Sequence, residues 1–180
     1  MDNATLTPME MFNIIARERG WMFNPGGGQV IWDEARGGAA AGGPAAADST
    51  LALVQLTDSN GKSIILARGD HLRVKGLREH YHAEEKAINT LKQKIAYDKK
   101  FPGGKMTVVV DQVPCTPKKH DCRGKLKAYA AQHELNLEVW LPRRSTKRGT
   151  ATVSPKTATM TSMRTGYPDV EIVLWDFEGE

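Results

Sequence analysis

The chain has 180 residues, 40% of them hydrophobic, which suits one folded domain with a core. No apolar run reaches the roughly 18 residues of a membrane span, and the first ten residues do not resemble a signal peptide. A formal net charge of +4 is too small to identify a nucleic-acid partner by itself. The two cysteines exclude a disulfide framework but leave open one disulfide, two buried thiols or part of a metal site.

The first predicted element is a helix that begins after Thr7. Pro8 suits the first helical position, and Glu10 stands three residues after Thr7, as in a capping box. Gly20 is the predicted stop. Residues 37–47 contain only glycine, alanine and proline, a composition typical of flexible linkers. We therefore predict a lead-in at residues 1–48 and a main domain at residues 49–180.

The main domain is predicted to alternate strands and helices. Strands at Leu51–Leu56 and Lys62–Ala67 flank an Asp-Ser-Asn-Gly turn, which is a strong hairpin signal. Apolar spacing then predicts a helix over residues 83–95, a strand at Met106–Asp111, a helix at Arg123–Glu134, and strands at Leu135–Leu141 and Val170–Phe177. This order predicts an α/β fold in which parallel neighbouring strands, joined by right-handed crossovers, form a mixed sheet with helices on both faces.

Side chains with metal-binding chemistry stand at the ends of these elements. His82 opens the first core helix, Cys115 follows the strand after it, and Cys122 lies at the start of the next helix. One imidazole and two thiolates, with water as the fourth ligand, make a catalytic zinc site, and such groups meet at one edge of an α/β sheet. Glu84 would face the bound water and move protons. Glu85, the competing carboxylate, is expected to be a solvated charge at the helix start.

The pattern His-Ala-Glu-x-x-Ala-Ile beginning at His82, followed by Pro114-Cys115 and a later cysteine, resembles the zinc-dependent cytidine deaminase superfamily. The small basic domain behind a Gly/Ala-rich lead-in looks most like the deaminase domains of bacterial polymorphic toxins. The resemblance implies a three-layer α/β/α fold and Zn²⁺ held by His82, Cys115 and Cys122. It also implies hydrolytic deamination of cytosine to uracil, with Glu84 transferring the protons.

The spacing of the two cysteines departs from the pattern of that superfamily. Six residues separate Cys115 from Cys122 where the pattern has two, so a bulged loop containing Pro117 is expected. His120 lies in this loop and is the alternative to Cys122 as a metal ligand.

Basic residues concentrate in two stretches near the predicted site. Residues 143–164 hold six cations and no acid, and residues 118–127 hold five cations and one acid. They predict a groove for the phosphates of nucleic acid, with single-stranded DNA favoured, and the alternative is an ordinary solvated surface. Substrate contacts are predicted at Tyr81, which could stack on a flipped base, and at Arg143 and Arg144, and the resemblance implies a further contact at Ala83.

The predicted function is zinc-dependent deamination of cytosine in nucleic acid by an interbacterial toxin domain. The resemblance implies a cognate immunity protein as partner and the recipient bacterial cytoplasm as the working compartment, where the cysteines stay reduced. Two alternatives remain open: a deaminase of free cytidine or nucleotides, and a zinc-stabilised nucleic-acid-binding module without turnover. Outside the site, His71 and His133 are expected at the surface and Trp140 and Trp175 in the core.

Overall fold

The computed structural model of the protein describes residues 4–18, 50–71, 82–110, 121–146, 149–150, 162–164 and 170–174. The helices in these ranges are α1 (Pro8–Glu18), α2 (Ala83–Lys94) and α3 (Cys122–Gln132). The strands are β1 (Thr50–Thr57), β2 (Ser63–His71), β3 (Gly104–Val110), β4 (Leu135–Thr146), β5 (Gly149–Thr150), β6 (Ser162–Arg164) and β7 (Val170–Leu174). The strands and helices predicted from Leu51 onward occur in the predicted order, and β4 continues five residues beyond its predicted end. The short strands β5 and β6, between β4 and β7, were not predicted.

The strands form one mixed sheet in the spatial order β2–β1–β3–β4–β7–β6, with β5 paired to β4. β3 and β4, which α3 connects, are parallel neighbours as predicted. β2 and β3, which flank α2 in sequence, point the same way but are separated by β1. The reason is that β1 pairs antiparallel with both of them, with β2 through the hairpin and with β3 on its other edge. Because β2 and β3 share a direction, α2 and α3 both begin at the same edge of the sheet.

The β1–β2 hairpin is built by its predicted turn. Asp58 accepts the main-chain N–H groups of Asn60 and Lys62 on its side chain, both at 2.9 Å. Gly61 takes a φ of +78°, a left-handed conformation that glycine adopts without steric cost. The turn therefore sets the register of the two strands that lead to α2.

Helices α2 and α3 cover one face of the sheet. The core residues of this layer alternate along the strands, as expected for side chains that point to one face of a sheet. They are Ala52, Val54, Leu56, Met106, Val108, Val110, Val139 and Leu141, packed against Ala83, Ala87, Ile88, Leu91, Leu126, Tyr129 and Ala130 of the helices.

Helix α1 covers the opposite face, so the three-layer arrangement is confirmed. Met11, Phe12 and Ile15 are fully buried there. They pack in one cluster with Leu51, Leu53, Val109, Trp140 and Ile172 of the sheet. Trp140 is thus in the core as predicted, whereas Trp175, Gly20 and the predicted boundary between residues 48 and 49 lie outside the described residues.

The start of α1 is fixed by local and distant hydrogen bonds. The predicted capping box is present, since Thr7 N donates to Glu10 Oε1 at 3.1 Å and Glu10 N donates to Thr7 Oγ1 at 3.2 Å. The buried amide of Gln55 on β1 bonds both the N–H and the carbonyl of Leu6 at 2.9 Å. The Thr5 hydroxyl accepts from Ser63 N on β2. The segment before α1 is therefore tied to the hairpin.

His133 lies in the core, and its predicted surface position is wrong. Its side chain is 1% exposed, and its ring centroid lies 4.5 Å from that of Tyr129. Its Nδ1 lies 2.5 Å from the carbonyl oxygen of Lys99, and Phe101 N donates to its carbonyl. Because α3 ends at Gln132, His133 follows the helix and its side chain packs against the segment that leads into β3. The His71 side chain lies outside the described residues.

Among the helices that the structure describes, none has the length and apolar character needed to cross a membrane.

Candidate metal centre

His82 is the residue that precedes α2, in the N-cap position. Its backbone is extended, with φ −78° and ψ 166°, and its side chain makes no capping bond to the helix. Its carbonyl accepts the N–H of Lys86, which closes the first turn of α2. The imidazole instead faces α3, with Nδ1 3.4 Å from Cys122 Sγ.

Glu84 is the second residue of α2 and is 3% exposed. On a continuous helix, residues two apart point roughly 200° away from each other. The extended backbone of His82 removes this conflict and lets both side chains reach one place. Burial raises the pKa of the Glu84 carboxyl above its ordinary value. Hydrogen bonds from its own main chain and from Cys122 oppose this rise in pKa, and the nearby Glu85 carboxylate adds to it.

Cys122 is the first residue of α3 and is fully buried. The preceding residue, Asp121, adopts a left-handed conformation with φ 51°, and its side chain accepts the N–H of Gly124 at 3.1 Å. A Cβ at position 124 would lie 2.2 Å from Asp121 Oδ2, so glycine there makes room for the cap. The capped helix start holds the sulfur where the helix dipole favours a negative charge such as a thiolate.

The structure brings His82, Glu84 and Cys122 together at the starts of α2 and α3. One ligand atom from each residue lies within 4.8 Å of the others, so the three could hold a metal ion. Tetrahedral zinc with ordinary Zn–N and Zn–S bond lengths places its nitrogen and sulfur ligands about 3.5 Å apart. The observed Nδ1–Sγ distance of 3.4 Å fits this requirement, and an imidazole with a thiolate is a donor set that zinc prefers. The same distance suits a thiol–imidazole hydrogen bond in metal-free protein, and metal titration distinguishes the two states.

The other predicted site residues are described only in part. Cys115, Tyr81 and the alternative ligand His120 are outside the described residues, so their roles stay predictions. Ala83 is the buried first residue of α2, between His82 and Glu84. Arg143 and Arg144 lie on β4, opposite Glu171 and Val170 of β7. Their side chains are outside the described set, so their predicted contacts with substrate also stay predictions.

Glu85 is a residue that sequence reasoning placed wrongly. It was expected to be solvated, but it is 5% exposed and its Oε1 lies 2.5 Å from Lys125 Nζ. The reason is that α2 and α3 pack on the same face of the sheet and begin at the same edge, which sets their first turns side by side. Each partner stands three residues after a member of the cluster, since Glu85 follows His82 and Lys125 follows Cys122. That spacing was the signal in the sequence, and it becomes readable only when the two helices are known to be neighbours.

We expect the protein to bind Zn²⁺ or Co²⁺ through Cys122. Titration with Co²⁺ should produce the near-ultraviolet charge-transfer absorption that thiolate ligands give. The variant Cys122→Ser should weaken Co²⁺ binding by more than about 100-fold, beyond the loss typical of residues that only support a ligand. Ala130→Ser, which also places a buried hydroxyl on α3, is the control and should bind normally. Equal affinities for Cys122→Ser and the wild type would contradict this assignment.

No family model and no curated protein matches the sequence. The support for a metal centre is therefore the geometry of the three side chains.

Proposed function

We propose that the protein is a zinc-dependent deaminase that converts cytosine to uracil in nucleic acid, with single-stranded DNA as the favoured substrate. The observation that carries the proposal is the buried cluster of His82, Glu84 and Cys122. Hydrolytic deamination needs a metal site and a proton carrier within reach of one another, and this cluster supplies groups suited to both tasks. The His-x-Glu pattern at a helix start adds support from the sequence.

His82 and Cys122 would hold the metal, with Cys115 as the third predicted ligand. Bound zinc would supply an activated water for attack on C4 of cytosine. Glu84 would carry one proton of that water to N3 and then the remaining hydroxyl proton to the departing amino group, so that cytosine and water become uracil and ammonia. Because the Glu84 carboxyl is almost fully buried, bulk water does not compete for the proton that it carries.

The charge of α3 supports nucleic acid as the substrate. The helix begins at the cluster and presents Lys127 at the surface, with Arg123 half-buried. Lys125 is also at the surface, but the Glu85 carboxylate compensates its charge. These residues belong to the basic stretch 118–127, so phosphates that pass the cluster would meet positive charge there. Affinity for an oligonucleotide should therefore fall steeply as salt rises.

The biological setting is part of the proposal and follows from the resemblance to toxin domains. A deaminase that mutates DNA endangers the cell that makes it, so we propose a cognate immunity protein that blocks the site. The working compartment would be the cytoplasm of a recipient bacterium, where Cys122 remains a reduced thiol.

We expect the zinc-loaded protein to generate uracil in a labelled single-stranded oligonucleotide, detected by cleavage with uracil glycosylase and alkali. Glu84→Gln should lower the rate by about 10²–10⁴-fold, the usual contribution of a general acid–base group. It should still bind Co²⁺, because the amide has the shape of the carboxyl but cannot carry the proton. Glu138→Gln, the same chemical change on β4, is the matched control and should keep full activity.

Three outcomes of this assay would contradict the proposal. Equal amounts of uracil from the wild type and from Glu84→Gln would show that Glu84 does not transfer the protons. Turnover of cytidine without turnover of the oligonucleotide would identify a nucleoside deaminase. Zinc content with salt-sensitive DNA binding but no ammonia release would identify a binding module without catalysis.

A further inference from the structure

We propose that the ion pair between Glu85 and Lys125 is a positioning device that holds the start of α2 against the start of α3 and so sets the spacing of the metal-holding residues. This inference rests on the metal centre of the proposed function. Glu85 directly follows Glu84, and Lys125 lies one turn after Cys122 on α3. The pair therefore joins the two helices beside the cluster.

The contact is close and asymmetrically buried. Glu85 Oε1 lies 2.5 Å from Lys125 Nζ, and the two side chains are 6% and 47% exposed. A carboxylate removed from water costs free energy unless a cation compensates it, so Glu85 stabilises the arrangement only while Lys125 is in place. Loss of either partner should change how the two helices meet.

An open cleft of about 230 Å³ lies beside the pair, between α2 and α3, and its walls include Glu85, Ile88, Lys125 and Tyr129. Ile88 and Tyr129 also belong to the core that packs the two helices on the sheet. The Glu85–Lys125 ion pair is a direct polar contact across the cleft, next to the cluster. It therefore adds a constraint on the two helix starts to the one that the core provides.

Helix geometry explains how the pair acts on the cluster. Neighbouring residues on a helix point roughly 100° apart, so Glu84 can face the cluster while Glu85 faces α3. Residues three apart share one face, so Cys122 and Lys125 both look toward α2. A constraint on Lys125 is therefore a constraint on the side of α3 that carries the sulfur.

A positioning role and a simple charge effect predict different results. If only charge mattered, loss of the negative Glu85 would weaken the binding of a cation, and loss of the positive Lys125 would strengthen it. If the pair positions the ligands, loss of either side chain weakens binding. The sign of the effect at Lys125 therefore decides between the two.

We expect Glu85→Gln and Lys125→Met each to weaken Co²⁺ binding by about 10–100-fold, the range found for residues that orient metal ligands. Lys125→Arg keeps the charge and should restore most of the affinity. Lys105→Met is the matched control. It breaks the Lys105–Glu138 ion pair, in which the two charged atoms are 3.1 Å apart and the lysine is also 47% exposed. This pair lies at the end of β3 that is far from the cluster. The control should leave Co²⁺ affinity unchanged. The metal-free Lys105→Met and Lys125→Met variants should unfold at similar temperatures, so a difference in their Co²⁺ affinities does not come from a difference in stability.

The outcomes separate this inference from the metal centre itself. Unchanged or tighter Co²⁺ binding by Lys125→Met would overturn the positioning role while leaving the metal centre intact. No Co²⁺ binding by the wild type would overturn both. Should Glu85→Gln fail to fold, the comparison of Lys125→Met with Lys125→Arg decides, since Lys125 is half exposed and its replacement leaves the core in place.

Discussion

Replacement of Gly69 by alanine is expected to displace α2, weaken metal binding and destabilise the fold at once. Gly69 lies on β2, where the backbone of α2 lies directly against the strand. A Cβ at this position would lie 1.8 Å from the carbonyl oxygen of Ala83 and 2.7 Å from the main-chain nitrogen of Ala87. Because these are backbone atoms, a change of rotamer cannot relieve the collision. The start of α2 must move by more than about 1 Å to reach ordinary contact distance.

That movement would reach the metal centre directly. Ala83 stands between His82 and Glu84, and a site of this kind needs its groups held to within about 0.5 Å. We expect Co²⁺ affinity to fall by at least about 10-fold. We also expect the free energy of unfolding to fall by about 1–3 kcal/mol, the usual effect of overpacking a core.

Co²⁺ titration and denaturant unfolding of Gly69→Ala test this prediction. Asp70→Ala, an exposed position on the same strand, controls for the substitution itself and should change neither quantity. Adding Ala83→Gly to Gly69→Ala should not restore binding, because the obstructing oxygen belongs to the main chain. Wild-type affinity and stability in Gly69→Ala would show that α2 does not approach β2 as described.

Loss of α1 is expected to unfold the domain. The three fully buried residues Met11, Phe12 and Ile15 each contribute about 2–5 kcal/mol in comparable cores. Their combined contribution is of the order of 10 kcal/mol, which equals the entire stability of a typical domain. Removal of α1 would also expose Leu51, Leu53 and the other apolar residues on that face of the sheet.

Deletion of residues 1–18 should therefore yield a chain without a cooperative unfolding transition and with strong binding of hydrophobic dyes. The single substitution Phe12→Ala should lower the free energy of unfolding by about 3–5 kcal/mol in denaturant titrations. Glu10→Gln, exposed on the same helix and compatible with a capping box, should stay within about 0.5 kcal/mol of the wild type. A deleted chain that unfolds cooperatively at the wild-type midpoint would contradict the role assigned to α1.

Features with a local cause were predictable from the sequence. The capping box of Thr7 and Glu10 and the turn that begins at Asp58 are made by residues a few positions apart, so their residue types suffice to identify them. The proximity of His82 and Cys122 was also predictable from the sequence. It follows from one rule, that helices leaving strands of the same direction begin at the same edge of a sheet.

Features that join distant segments were not predictable in the same way. Periodicity shows that a side chain such as His133 or Glu85 stands on a helix or at its end, but not which segment covers it. Lys125, the partner of Glu85, is 40 residues away in the sequence. Lys99, the partner of His133, is 34 residues away, in the segment that precedes β3. Both depend on how α2 and α3 settle together on the sheet, which is a property of packing and not of local sequence.

The capped start of α3 has a consequence for the length of the segment that precedes it. Cys122 is held by Asp121 and by the helix that it opens, so its place does not depend on the number of residues that precede it. Lengthening that preceding segment costs little in loop closure, only about 1 kcal/mol for a change from two residues to six. We therefore expect insertions before Asp121 to leave Cys122 in place, provided that the bond from Gly124 N to the Asp121 side chain is kept.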